Sequence, residues 1–149
     1  MPTIKRFEDL HVWQSARELV RIVYQITKLP AFSRDFGLCD QIRRASVSVM
    51  SNIAEGFGAG SDGDFVRFLG YARRSNCEVQ SQCYAALDLK YIEETRFQEI
   101  YAKANMIERQ INALISYLYK PKQHAIKDEP GGYSINPPDL SDFLDSPDL

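Results

Sequence analysis

Four stretches of the chain repeat apolar residues at three- and four-residue steps, the spacing that turns one face of an α-helix towards a core. The first spans about Asp9 to Lys28. Trp13, Ala16, Val20, Val23 and Thr27 fall in line, Leu19 and Ile26 widen the stripe, and Pro30 ends it. Trp13 lies on this stripe, so it reads as packing and not as a ligand platform. The second stretch spans about Asp35 to Phe57. Leu38, Ile42, Ala45, Val49 and Ile53 form one stripe, and Val47, Met50, Ala54 and Phe57 form another beside it. A helix that is apolar on most sides is buried on most sides. Val47, Met50, Ala54 and Phe57 are therefore the candidate oligomer interface. A narrow polar line of Gln41, Arg44, Ser48, Ser51 and Glu55 runs between the stripes, with Asn52 beside it.

Gly56, Gly58, Gly60 and Gly63 break the pattern and mark a turn. The glycines invite a phosphate-loop reading, but no strand precedes them and no Lys-Ser/Thr pair follows. Ser61 is placed to cap the third helix, with Asp64 three residues on in a box-like arrangement. That helix runs to about Lys90, with Phe65, Leu69, Ala72, Asn76, Val79, Cys83 and Ala86 on one face. Asn76 is the polar member of the face and needs a hydrogen bond if it is buried. The fourth stretch spans about Thr95 to Tyr119. Ile100, Ala104, Ile107, Ile111, Leu114 and Leu118 keep the spacing of a helical seam until Pro121. No strand pattern interrupts the series. The fold expected is all-α, an antiparallel up-and-down four-helix bundle over residues 1–120.

Residues 121–149 change character. They hold five of the seven prolines and two lysines against six acids, whereas residues 1–120 hold 16 Lys+Arg against 14 Asp+Glu. A net of −4 on a net of +2 accounts for the chain's −2. Such an acidic, Pro-rich segment is expected to be a disordered tail, dispensable for folding. Leu140, Phe143, Leu144 and Leu149 punctuate its acids, which leaves open a partner-docking peptide. The first residues lead into no apolar h-region and no run approaches the ~20 apolar residues of a membrane span, so a cytoplasmic protein with no membrane contact is expected. Cys39, Cys77 and Cys83 then read as free thiols. Their spacing, and that of His11 and His124, does not suit a zinc site, and no metal or cofactor is expected.

Arg44 and Glu55 sit eleven residues apart on one side of the second helix, about 16 Å along its axis, too far to pair with each other. Each needs a partner from another helix or subunit. Arg43, Arg73 and Arg74 are candidates for Glu55, and Glu78 for Arg44. With Asn52 and Ser75 these residues form a candidate polar lock that sets helix register. An active site is the alternative reading, but no nucleophile–base pair or metal set accompanies the cluster, so no catalytic residue is assigned and no enzyme is expected.

The strings Phe7-Glu8-Asp9-Leu10-His11-Val12-Trp13-Gln14, Gln41-Ile42-Arg43-Arg44-Ala45 and Ser51-Asn52-Ile53-Ala54-Glu55-Gly56 closely resemble the 23S rRNA intervening-sequence protein family, over about residues 4–120. Some relatives resemble the accessory protein of diversity-generating retroelements. The resemblance implies up-down bundles assembled as ring-shaped homopentamers, with RNA or other nucleic acid as the usual proposed ligand. Relatives often carry an Arg where this chain has Ala59, and a Gly where it has Arg74, so a basic contact is lost at one site and gained at another. The acidic tail lies outside the resemblance.

Two functions from different classes fit these features. One is an oligomeric bundle that binds structured RNA, DNA or a nucleic-acid-handling partner. The other is a protein-interaction scaffold without nucleic-acid contact. For the first, Arg67, Arg73 and Arg74 are the candidate nucleic-acid-binding residues, because Arg67 and Arg74 lie seven residues apart on one face of the third helix with Arg73 adjacent. A solvated face or intersubunit salt bridges would account for the same arginines.

Overall fold

The computed structural model describes residues 4–119 in full, together with the backbone of residues 125–129 and 132–135. A 3-10 turn at Phe7–Asp9 leads into α1 (His11–Ile26). A one-turn helix, α2 (Pro30–Ser33), follows, and then come α3 (Phe36–Gly58), α4 (Asp62–Asp88) and α5 (Glu94–Tyr119). The four long helices match the four periodic stretches to within a few residues. They pack as a square, with α1 on α3, α3 on α4, α4 on α5, and α5 back on α1.

Short connections make neighbours antiparallel, and the cross-helix contacts bear out the direction. Gly56 of α3 meets Phe65 and Phe68 early in α4, and Ser48 meets Ser75 further along it. On the next side of the square Arg73 meets Asn112, and Asn76 meets the Ala104 carbonyl. The apolar stripes converge on the centre. Leu19, Val23, Ile42, Val49, Ile53, Phe65, Leu69, Val79, Ile100, Ile107 and Ile111 are all fully buried.

The helix ends explain their own positions. Asp35 caps α3, its Oδ1 accepting from the Leu38 N–H at 3.0 Å. Its Oδ2 accepts from the Tyr91 hydroxyl at 3.0 Å, which ties the start of α3 to the α4–α5 connection and raises the Tyr91 pKa. Ser61 caps α4 by accepting from the Asp64 N–H at 3.2 Å, and its hydroxyl donates to Asp64 Oδ2 at 3.1 Å. Gly60, just before this cap, has φ +83, a left-handed turn that glycine adopts without steric cost.

Asn76 is fully buried and donates from Nδ2 to the Ala104 carbonyl at 2.8 Å, as its place on the apolar face requires. Its Oδ1 finds no partner among the described residues. Cys39 and Cys83 are buried and Cys77 is exposed, all as free thiols, and burial pushes the Cys83 thiol up to about 12. No described helix is long and apolar enough to cross a membrane.

Two features depart from the sequence pattern. Pro30, which ends the first periodic stretch, also starts α2, where its missing N–H costs nothing. This turn buries Phe32 completely against the Tyr91 ring, 5.2 Å between centroids. Within the segment expected to lack regular structure, β1 (Ala125–Glu129) and β2 (Gly132–Ile135) pair as an antiparallel ribbon, with Ala125 opposite Ile135 and Glu129 opposite Gly132. The expected docking residues Leu140, Phe143, Leu144 and Leu149 lie outside the described residues.

Gly56 marks a close approach of α3 and α4. A Cβ there would stand 2.7 Å from Phe68 Cβ and 3.0 Å from Phe65 Cδ1. Gly56→Ala is expected to destabilise the fold by about 1–2 kcal/mol, overpacking outweighing the gain in helix propensity. Gly58, one turn-position on and open on all sides, should tolerate alanine with no loss. Urea denaturation midpoints of the two variants check this difference.

Candidate nucleic-acid interface

The three arginines singled out on the third periodic stretch are all exposed on α4. Arg67 lies over the Phe68 ring at 5.2 Å, and Arg74 over the Tyr71 ring at 5.9 Å. Phe68 and Tyr71 contact each other edge to face, 5.8 Å between centroids. One side of α4 therefore carries a run of Arg67, Phe68, Tyr71 and Arg74, in which each guanidinium is held near an aromatic face. Such a run offers both phosphate contacts and planar surfaces for unstacked bases. Arg67 is partly neutralised, since its Nη2 donates to Asp64 Oδ1 at 3.1 Å. Arg73 leaves the run and turns towards α5, where its Nη1 donates to Asn112 Oδ1 at 2.8 Å.

The polar lock is not assembled within one chain. Arg44 pairs with Asp40 of its own helix at 2.9 Å, with side chains 79% and 62% exposed. The i,i+4 spacing supplies that partner locally, so Arg44 needs no other helix. Glu55 and Glu78 are exposed and form no ion pair among the described residues. Arg43 donates from Nε to Thr27 Oγ1 at 2.8 Å and lies over the Tyr24 ring at 4.8 Å, a contact between α3 and the end of α1.

A neutral seam occupies the place expected of the charged lock. Ser48 of α3 is its centre. It accepts from Asn52 Nδ2 at 2.9 Å and from the Ser75 hydroxyl of α4 at 2.8 Å. Ser75 thus joins α4 to α3 while Asn52 supports Ser48 from within α3, through hydroxyl and amide groups that are cheaper to desolvate than carboxylates or guanidinium groups.

The second apolar stripe divides. Phe57 is only 4% exposed and packs edge-on against Phe65, so it belongs to the chain's own core and not to an outer face. The turn of the helix at its C-terminal end carries Phe57 inward beneath the α3–α4 connection. Val47, Met50 and Ala54 are half-buried and stay together on the outer side of α3, with Met50 also touching the core. Among the described residues, no group of three histidines, cysteines or acids could hold a metal ion.

The sequence profile of the 23S rRNA-intervening sequence proteins matches residues 8–113, which span all four long helices. The chain belongs to that family. A crystal structure from Bacteroides thetaiotaomicron, described as a protein of unknown function from the S23 ribosomal protein family, is similar to this family member. The two are 26% identical, with a TM-score of 0.64 over 70% of this chain and 97% of the other. No curated protein matches the chain. In this family member the Ser51–Gly56 string serves structure at two points visible in one chain. Asn52 bonds Ser48, and Gly56 admits the α4 phenylalanines. Glu55, between them, faces solvent.

Sequence reasoning passed over Tyr24, Lys28 and Phe36, which line one groove with Arg43 and Arg44. Tyr24 and Phe36 lie off the apolar stripes of their helices. That is the one signal by which they stand out, since an aromatic ring off the buried face must meet something other than the core.

An exposed carboxylate such as Glu55, with no ion pair among the described residues, contributes little to the fold of the chain. Glu55→Ala should therefore shift unfolding stability by no more than about 0.5 kcal/mol at protein concentrations where the chain is dissociated. Thermal unfolding measured across a dilution series checks this. A larger loss that appears only at high concentration would mean that Glu55 meets a neighbouring subunit.

Proposed function

We propose that this protein is a non-catalytic, cytoplasmic homo-oligomer that binds structured RNA through repeated copies of the α4 arginine–aromatic run. The observation that carries the reading is the run of Arg67, Phe68, Tyr71 and Arg74 on one side of α4, with each guanidinium over a ring, Phe68 half-buried and Tyr71 exposed. Guanidinium groups neutralise phosphate, and an exposed ring stacks on bases in single-stranded loops, so the run suits folded RNA with unpaired bases better than plain duplex. Membership of a family named for 23S rRNA intervening sequences makes structured RNA the first ligand to test.

A chain with a net charge of −2 needs more than one such run to hold a polyanion. The assembly proposed is the ring-shaped homopentamer that the family resemblance implies, built on the half-buried Val47, Met50 and Ala54 of α3. Repeating the run around a ring turns a modest local charge into a multivalent surface.

Light scattering should return five times the 17.1 kDa mass of one chain, and a stable monomer at micromolar concentration would remove the assembly from the reading. RNA and duplex DNA are then titrated against the native protein and an Arg67/Arg73/Arg74 triple alanine variant at two salt concentrations. The native protein should favour looped RNA, and its affinity should fall steeply with salt. The variant's salt slope should be lower by about two to three, as each lost phosphate contact removes about one. Equal affinity and equal slope for the two proteins would favour a protein-interaction scaffold instead.

A further inference from the structure

The α4 run leaves the most exposed large apolar side chain of the described residues unexplained. Phe36, the first residue of α3, is 81% exposed. It stands at one end of an open groove of about 890 Å³ between the end of α1 and the first half of α3. Tyr24 and Val47 supply further apolar lining, and Lys28, Arg43 and Arg44 supply positive charge against the single carboxylate of Asp40. Arg44 is matched by Asp40. Arg43 touches only neutral partners, Thr27 and Tyr24, and Lys28 forms no ion pair among the described residues. Thr27 and Cys39 line the groove on its buried side, Phe36 and Tyr24 give it exposed rings, and Lys28 and Arg43 give it two positive charges with no ion pair among the described residues.

We propose that this groove is the docking site for the chain's own acidic C-terminal segment, residues 136–149. The chemistry of the segment is complementary. It holds Asp139, Asp142, Asp145 and Asp148 and no lysine or arginine. Leu140, Phe143 and Leu144 recur at the i, i+3, i+4 spacing with which a short amphipathic anchor presents one apolar face to a groove. Asp142 and Asp145 fall on the other side of such an anchor, where they meet a basic rim.

The geometry permits the contact. β2 ends at Ile135 and approaches α3. The 23 residues of α3 are about 34 Å long at 1.5 Å per residue. The eight residues from Ile135 to Phe143 reach about 26–29 Å when extended, which covers the roughly 24 Å along the axis from the far end of α3 to the middle of the groove. Tethering raises the effective concentration of a weak ligand to about millimolar, which makes a few salt bridges and one aromatic anchor sufficient. RNA suits the groove less well. Asp40 sits among the cations, and the exposed Phe36 and half-buried Val47 would remain uncovered by a phosphate track. The docking is tested apart from the RNA reading of α4, because the groove shares no residue with the α4 run; Val47 alone is common to the groove and the proposed ring interface.

The test uses the full chain with the photo-crosslinking analogue p-benzoylphenylalanine in place of Phe143. After irradiation, adducts are mapped by mass spectrometry. They should concentrate on residues 24–48. A band at single mass on a denaturing gel means docking within one chain, and a band at double mass means docking onto a neighbouring copy; either supports the assignment. Lys28→Glu/Arg44→Glu changes two exposed side chains and should lower the adduct yield about five- to tenfold. Adding Asp142→Lys/Asp145→Lys to that variant should restore it. The native yield should also fall at 1 M salt, where charges are screened within about 3 Å. Adducts elsewhere, or a yield indifferent to both charge reversals, would overturn the proposal. So would protection of the groove by RNA with no tail adduct, which would make it a nucleic-acid site.

Discussion

The close approach of α3 and α4 at Gly56 sets the rest of the bundle. With no side chain at that position, Phe65 and Phe68 settle directly against the α3 backbone. Two antiparallel helices that touch at one such point have their register determined along their whole length. It follows that Ser48 falls opposite Ser75, and that Phe57 turns inward onto Phe65. The register of α4 in turn carries Asn76 to the Ala104 carbonyl and Arg73 to Asn112 on α5. A small residue at one crossing therefore decides which polar groups meet at crossings far from it.

Electrostatics are kept out of the interior. Buried polar contacts are made by serine, asparagine and threonine, neutral groups whose desolvation costs less than that of a charge. The charged groups stay at the rim and find local partners. Arg44 takes Asp40, Arg67 takes Asp64, and Arg96 takes Glu99, all within one helix. Pairs this exposed add little to stability. They do lower the free charge on the surface at those positions. Of the cations with no ion pair among the described residues, Arg43 lies by Tyr24 and Arg74 by Tyr71. This pairing of charge with an exposed ring is the chemical theme common to the α4 run and the α1–α3 groove.

Family membership and geometry speak to different parts of the molecule. The matched residues 8–113 cover the bundle, and the similar crystal structure shares its fold. The acidic segment beyond them belongs to this chain's own part of the sequence. The basic, aromatic groove lies on the bundle shared with the family, and the acidic residues 136–149 lie outside the matched part.

The number, boundaries and buried faces of the long helices followed from the sequence alone, because apolar periodicity and capping are local. Ser61 with Asp64 and the break at Gly60 mark the start of α4 as plainly in the string as in space. The buried position of Asn76 was legible for the same reason. The partners of the polar residues were not. Arg44 and Glu55 are strong charges on one helix side, and from sequence both seem to demand a cross-helix partner. Arg44 instead takes the residue one turn back, and Glu55 faces water. Phe57 reads as an outer stripe and is core, because the phase of a stripe near a helix end depends on what packs over that end. Tyr24, Lys28, Phe36 and Arg43 come from two helices and share a groove. Periodicity reports the angle of a residue about its own helix axis and says nothing of how far that helix slides along its neighbour, and it is this slide, set by contacts such as Gly56 against Phe68, that decided which side chains meet.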